Sequence, residues 1–377
     1  MYALTKLQQY GVKWVIRRLV REFIKPTTSL GQYFRPMSSL LYHAISKPIN
    51  FMYARVMFKD TANDTLYFFY DFEIEPITYD FIWALCVANA RREELGLRFM
   101  HVVLVPGSYN GLRRELPDYD KVLTHDTRVW RIYSILFPSI RLLPCPCSVT
   151  LCASREEAAY IREQKLNYQY PSRYNVTFPI AYDPELAVGY QQSCMALRAD
   201  NQAKAYVLAW LEPRAQTKKT IVITLRQYAF TPERNSNLSA WATFAKMLDR
   251  EQFYVVFVPD TEQGMQPIPP ELSEFDFFQA ACWNLNLRAA LYELAYLNLG
   301  VNTGPMTLCW FNPRCRYITF KVAVKNVPHV PLTMITDKGF IPGQNPAFAN
   351  AFQKWVWEDD HAEVLVREFA SMCQVIA

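Results

Sequence analysis

The stretch LGVNTGPMTL (299–308) breaks an apolar helical pattern with Asn302, Thr303, Gly304 and Pro305, after which an apolar run resumes. Gly-Pro interrupts helix and strand alike, and small polar residues let backbone amides approach a ligand closely, so the stretch suits a binding turn or an ordinary loop. A second polar stretch, ITLRQYAFTPERNSN (223–237), sets Thr224 and Arg226 at the end of one apolar run and just before a helical pattern. An arginine combined with amides at a helix start makes an anion site, and diphosphates commonly bind such sites. Thr224, Arg226 and the Asn302, Thr303, Gly304, Pro305 turn are therefore the expected diphosphate clamp. The alternative for Arg226 is a cap on a sheet edge or an ion pair with Glu233 or Asp260, and Glu293, one helical face before the turn, reads as a contributor or a solvated helix residue.

A group transfer to a hydroxyl also needs a base. YDFEIEP (70–76) offers Asp71, Glu73 and Glu75 at a strand end, where alternation predicts one shared face and crowding of like charges raises a carboxyl towards a working range. The alternative is a solvated acidic strand end. His125 is the second candidate base, and His101 reads as a packed core histidine. No metal site is expected. Cys145, Cys147 and Cys152 lack the second pair or spaced histidine of a zinc set, and Asp118 and Asp120 fall in a turn-like DYD. The nine cysteines fit a reduced, cytosolic protein, and no G-x-G-x-x-G, Walker, G-x-S-x-G or H-E-x-x-H motif supports dehydrogenase, kinase, serine-hydrolase or zinc-protease chemistry.

The elements that must position these residues alternate. A strand at 65–76, a helix at 79–96 and a strand at 97–107 form a βαβ unit, and 148–163 repeats the strand-to-helix step with Ser154 as N-cap. A second alternation places strands at 219–226, 253–260 and 315–322, with helices at 237–251, 284–300 and 351–373. With 51% hydrophobic and 20% charged residues over 377 positions, the chain is globular and long enough for two domains. The predicted architecture is α/β, two Rossmann-like doubly wound domains facing across a cleft. Its parts are a basic amphipathic helix at 1–30, an acceptor-side domain at 31–180, a donor domain at 181–345, and C-terminal helices at 346–377 that cross back to the first domain. Six Lys and Arg against Glu22 give the first 26 residues the same net +5 as the whole chain. A helix over 11–25 fits an anionic membrane surface, or else packs on the protein; nucleic acid is not an expected partner.

LRAALYELAYLNLGVNTGPMTLCW (287–310) resembles the donor-binding segment of GT-B glycosyltransferases, closest to the bacterial heptosyltransferase group, and ITLR (223–226) resembles the donor-side arginine element of fucosyltransferase-like members. Asn302 stands where the heptosyltransferase group usually has Asp, and Thr307 where it usually has His. The resemblance implies a glycosyltransferase that moves a sugar from a nucleotide-sugar donor to a saccharide or lipid-linked acceptor, inverting and metal-independent, with the nucleotide-sugar as co-substrate and no other cofactor. Its expected place is the cytoplasm, at the inner face of a membrane. A nucleotide-sugar epimerase of the same fold and a non-catalytic scaffold in polysaccharide assembly are the alternatives.

Overall fold

Runs such as TLYFFYD, KTIVIT and FYVVFV are rich in β-branched and aromatic residues, and strands apolar on both faces suit a sheet that helices cover on both sides. The computed structural model describes residues 61–164, 168–182, 189–324 and 339–376, with isolated positions 12, 32, 44, 48 and 336. The expected amphipathic helix over 11–25 therefore lies outside the described residues, Val12 excepted. The chain separates into two units, Met1–Thr61 and Ala62–Ala377, and the second carries the whole architecture that follows.

A first parallel sheet runs in the order β3-β2-β1-β4, from β1 (Thr65–Asp71), β2 (Phe99–Val105), β3 (Cys147–Leu151) and β4 (Gln169–Tyr170). Helix α1 (Asp80–Glu94) links β1 to β2, and α2 (His125–Arg131) precedes β3. Helix α3 (Arg155–Glu163) follows β3, capped as expected by Ser154, which accepts from the Glu157 amide. The second sheet is also parallel, in the order β10-β9-β8-β5-β6-β7, from β5 (Lys219–Thr224), β6 (Phe253–Val258), β7 (Asp276–Phe277), β8 (Leu297–Val301), β9 (Tyr317–Phe320) and β10 (Gln353–Trp355). Relative to its own first strand this is the 3-2-1-4-5-6 order of a doubly wound sheet, with the switch point between β5 and β8. The expectation of two Rossmann-like α/β halves holds.

Three expected boundaries shift. The helix expected to Gly300 ends at Leu294, and Leu297–Val301 is a strand buried over its full length at the sheet centre. A five-residue apolar run appended to a helix carries too little periodicity to separate the two. The expected helix at 351–373 begins as β10 beside β9, and only Ala362–Ile376 (α7) is helical. It does not cross back: Leu365, Phe369 and Met372 pack with Trp241 and Phe244 of helix α5 (Leu238–Met247) against the second sheet. Asp360, just before α7, accepts from the Trp241 indole at 2.8 Å and the Asn237 amide at 2.8 Å, which fixes that docking. Finally, β1 ends at Asp71, and Glu73 and Glu75 lie in the turn beyond it.

The two halves share one core. Trp83 of α1 meets Trp310, Phe311, Phe340 and Phe348 edge-on, with ring centroids 4.7 to 6.0 Å apart, and so is an inter-half packing residue. Helix α4 (Asn201–Ala215), capped by Asp200, carries the chain from one sheet to the other and packs on α6 (Leu285–Leu294). Glu293 of α6 anchors this connection rather than the crevice: it accepts from the Ala199 amide, Lys204, Asn312 and Arg314, which together hold its pKa down at about 2.

Candidate active site

In parallel sheets ligands bind beyond the carboxyl ends of the strands, at the switch point. The loops after β5 and β8 flank that point in the second sheet. The loop after β1 reaches them from the first: the ring of Tyr79 lies against Gly304, and its hydroxyl is 3.3 Å from that of Thr261, after β6. The loops after β1, β6 and β8 therefore converge on one crevice between the halves, and the expected residues take different roles near it and away from it.

Arg226 is buried and directed back into its own loop, where it donates to the carbonyls of Thr231 (3.0 Å) and Phe230 (2.8 Å) and to Asn235 Oδ1. Thr231 turns that loop at φ 57°, and the Ser236 hydroxyl accepts from the Arg226 amide. Neither Glu233 nor Asp260 pairs with it among the described ion pairs. Arg226 shapes the loop, and the arginine delivered to the crevice is Arg234. One of its Nη atoms donates to the Asn302 carbonyl at 3.0 Å, joining the two switch-point loops, and no carboxylate pairs with it among the described residues. Burial, reinforced by Arg226, lowers its pKa to about 10. ERN gives no local sign of which arginine turns outward, and reading missed this one because both lie in the same polar stretch.

In the turn after β8, Asn302 is tied to the Val322 carbonyl at 2.7 Å through Nδ2. The Met306 amide closes onto Thr303 and the Thr307 hydroxyl onto Gly304, while Pro305 has no N–H. That leaves the Thr303 and Gly304 amides without a partner among the described residues. A Cβ on Gly304 would lie 2.6 Å from Tyr79 Cδ2, so only glycine permits this approach. Thr224 points inward, its hydroxyl 2.7 Å from that of Tyr292 and its side chain fully buried.

The three acids do not share a face, because the strand stops at the first of them. Asp71 is saturated: Arg155 donates to both oxygens at 2.8 and 3.0 Å, Tyr174 donates at 2.7 Å, and the Glu73 amide caps the same carboxylate. Glu73 grips the Ser108 hydroxyl and amide. Glu75 accepts one bond, from the Tyr182 amide at 2.9 Å, which leaves its second oxygen without a described partner. Burial pushes its pKa up to about 7, with Asp80 and Asp71 adding to the rise and the Tyr182 bond opposing it. Crowding was expected to do this, and desolvation does most of it. The half-buried Asp80 acts on both sides of the crevice: it raises Glu75 and partly offsets the desolvation of Arg234.

Around this centre, Arg155 also donates to the carbonyls of Pro106 and Val176, binding the loops after β2 and β4 side by side. Those loops expose Tyr109, Phe178 and Ile180. On the other side, a groove of ≈ 70 Å³ opens between the ends of β5, β6 and β7, lined by Gln227, Pro259, Gln263, Gln266, Phe277 and Gln279. Arg131 pairs with Glu262 across the two halves, and Tyr119 packs edge-on against Phe230 at 5.0 Å. His125 donates to or accepts from nothing in the crevice; its ring meets the Asn110 carbonyl at 3.0 Å. His101 is half-buried between the hydroxyls of Ser148 and Thr150 rather than packed in the core. Asp118 and Asp120 form ion pairs with Lys121 and Arg128. Among the described residues no cluster of three metal-ligating side chains occurs.

No family model and no curated protein matches the sequence. Among solved structures the chain is similar to the ADP-heptose lipopolysaccharide heptosyltransferase II of E. coli, with 11% identity and TM-score 0.44 over 83% of this chain and all of that one. It is similar to a glycosyl transferase family 9 protein from Veillonella parvula, with 8% identity and TM-score 0.41 over 82% and 97%. It is also similar to the E. coli heptosyltransferase WaaC, solved with ADP-2-deoxy-2-fluoro heptose, with 11% identity and TM-score 0.35 over 81% and 99%.

Proposed function

We propose that the chain transfers a sugar from a nucleotide-activated donor to a hydroxyl of a saccharide or lipid-linked glycan. One observation carries the reading: Glu75, with one oxygen unpartnered among the described residues and a pKa of about 7, and Arg234, a cation with no carboxylate partner among them, both feel the charge of Asp80. In a single inverting displacement Glu75 takes the acceptor's proton as the acceptor oxygen attacks the anomeric carbon. The bond from that carbon to the diphosphate oxygen breaks, and the nucleoside diphosphate leaves. Arg234 and the Thr303 and Gly304 amides meet the leaving charge, so the step calls for no metal or further cofactor. Arg226, Thr224, Asn302 and Pro305 hold the donor loops in place, and Asp71 and Glu73 hold the acceptor loops. The glutamine-lined groove receives the nucleoside, and the exposed rings and side chains of Tyr109, Phe178 and Ile180 meet the acceptor. Residues 11–25 keep the enzyme at the cytosolic face of an anionic membrane.

The test is a thermal-shift series with UDP, GDP, ADP and CMP on the wild type and Arg234→Ala. A nucleotide at about 100 times its Kd stabilises the fold by roughly 2.7 kcal/mol. A shift with one nucleotide, lost in Arg234→Ala, supports the reading; a cooperative melt that no nucleotide moves removes it. A second reading, a non-catalytic scaffold, is favoured by Tyr79, whose buried side chain lies across the switch point from Gly304 to Thr261. Binding without release of nucleoside diphosphate on any acceptor would favour the scaffold.

A further inference from the structure

Away from the crevice, PCPC (144–147) leads into β3, the outer strand of the first sheet. All nine cysteines are free thiols; six are buried, and Cys145, Cys147 and Cys373 reach solvent. The Cys145 and Cys147 sulfurs lie 3.5 Å apart. Cys145 Sγ also donates to Asn89 Oδ1 of α1 at 3.5 Å, and Cys147 Sγ to the Cys145 carbonyl at 3.3 Å. Pro146 fixes the backbone between them, and its carbonyl is held by the Met100 amide at 3.2 Å. Both sulfurs therefore stay on one side of a stiff three-residue link at an accessible sheet edge.

We infer that Cys145 and Cys147 form a dithiol that hydroperoxides oxidise to an intramolecular disulfide. The Cys145 thiolate attacks a peroxide oxygen, the O–O bond breaks, and the departing hydroxide or alkoxide takes up a proton, leaving Cys145 as a sulfenic acid. Cys147 sulfur then attacks the Cys145 sulfur and loses its proton, the S–O bond breaks, and water leaves; two thiol electrons have reduced one peroxide. The two sulfurs are unlike, which suits the two roles. The Cys147 hydrogen bond and the Arg92 charge lower Cys145, whereas the same contact and burial push Cys147 up. An attacking thiol near ambient pH is the reactive one.

The test uses the full reduced chain and one equivalent of hydrogen peroxide, followed by denaturation, alkylation with iodoacetamide and tryptic mass analysis. Residues 142–155 form one peptide holding Cys145, Cys147 and Cys152. The expected product lacks two hydrogens and carries one alkyl group, on Cys152; dithiothreitol restores three alkylatable thiols. Native Cys145 should alkylate roughly tenfold faster than Cys373 at pH 7. In Cys147→Ser, dimedone should trap the Cys145 sulfenic acid, and Cys152→Ser should leave the loss of two hydrogens intact. Three alkyl groups after peroxide, a sulfinic acid on Cys145 beside a free Cys147, or a disulfide that needs Cys152 would each overturn the inference. The wild-type measurement needs no variant to fold.

Discussion

Glu75→Gln should make the protein more stable and less active together, and the size of the first effect follows from its surroundings. The carboxyl titrates near 4.5 in an exposed chain and at about 7 in the fold, because burial penalises the charged form. Below pH 4.5 it is protonated in both states and contributes nothing to the balance. Between 4.5 and 7 the unfolded chain releases the proton while the folded one keeps it, so stability falls as pH rises; above 7 the full difference is present. At ~1.4 kcal/mol per pKa unit this amounts to about 3 kcal/mol. Glutamine keeps an oxygen to accept the Tyr182 amide and carries no charge. Urea unfolding of both proteins from pH 5 to 8 should give a difference in stability that is small at pH 5 and climbs towards about 3 kcal/mol in favour of Glu75→Gln above pH 7. Transfer activity should fall by a factor on the order of 10² to 10⁴, the usual contribution of a general base. A stability difference that stays flat across this range would refute the desolvation argument, and an active, stabilised variant would refute the assignment of the base.

Arg226→Ala should lower stability, since it removes the bonds to the Thr231 and Phe230 carbonyls and to Asn235 Oδ1 that fold the loop back, whereas Arg234→Ala should leave the melting temperature near wild type and abolish nucleotide shifts; the reverse ordering would exchange their roles. Gly304→Ala should cost about 1 to 3 kcal/mol through overpacking against Tyr79, and Tyr79→Ala in the same chain should return most of it, measured by denaturant unfolding as a double-mutant cycle. Glu293→Gln should cost up to about 3 kcal/mol at pH 7. The wild-type carboxylate contributes stability above its unfolded pKa of 4.5 that is lost as pH falls towards 2, so the penalty should shrink in acid unfolding below pH 4.

What could be read from sequence was whatever local periodicity determines. The apolar runs of β1, β2, β5 and β6 and the Ser154 cap appear at their expected places because strand alternation and capping are properties of a few consecutive residues. The strand β8 was hidden because its five residues follow a helix of the same apolar composition, and β10 because Lys354 and Trp355 continue into an acidic segment that suits a helix start. The three acids were legible as a group but not as individuals. Which of them keeps an oxygen unpartnered among the described residues depends on Arg155, Ser108 and Tyr182, all far along the chain. The choice between Arg226 and Arg234 depends likewise on one left-handed residue, Thr231, that folds the loop back on itself.

Tyr79 connects these local facts to how the crevice can work. The proposed transfer would have to bring donor and acceptor edges together around the reactants while excluding water, by closure of loops or domains. Here Trp83 and its ring of aromatic neighbours give the halves a common core, and the Arg131–Glu262 and Tyr119–Phe230 contacts tie the halves together beside it. Large hinge opening would break all three at once. Access to the Thr303 and Gly304 amides is then governed locally, by whether Tyr79 leaves its place over Gly304. Its tie to Thr261 is long, at 3.3 Å, and neutral, so the ring is held chiefly by packing. A ligand that offers an anion to Arg234 and to the two amides, unpartnered among the described residues, gains charge-assisted bonds that the phenol ring cannot supply. The balance between those bonds and the packing of one tyrosine decides between an enzyme that admits its donor by moving a side chain and a scaffold whose site is filled by its own residue.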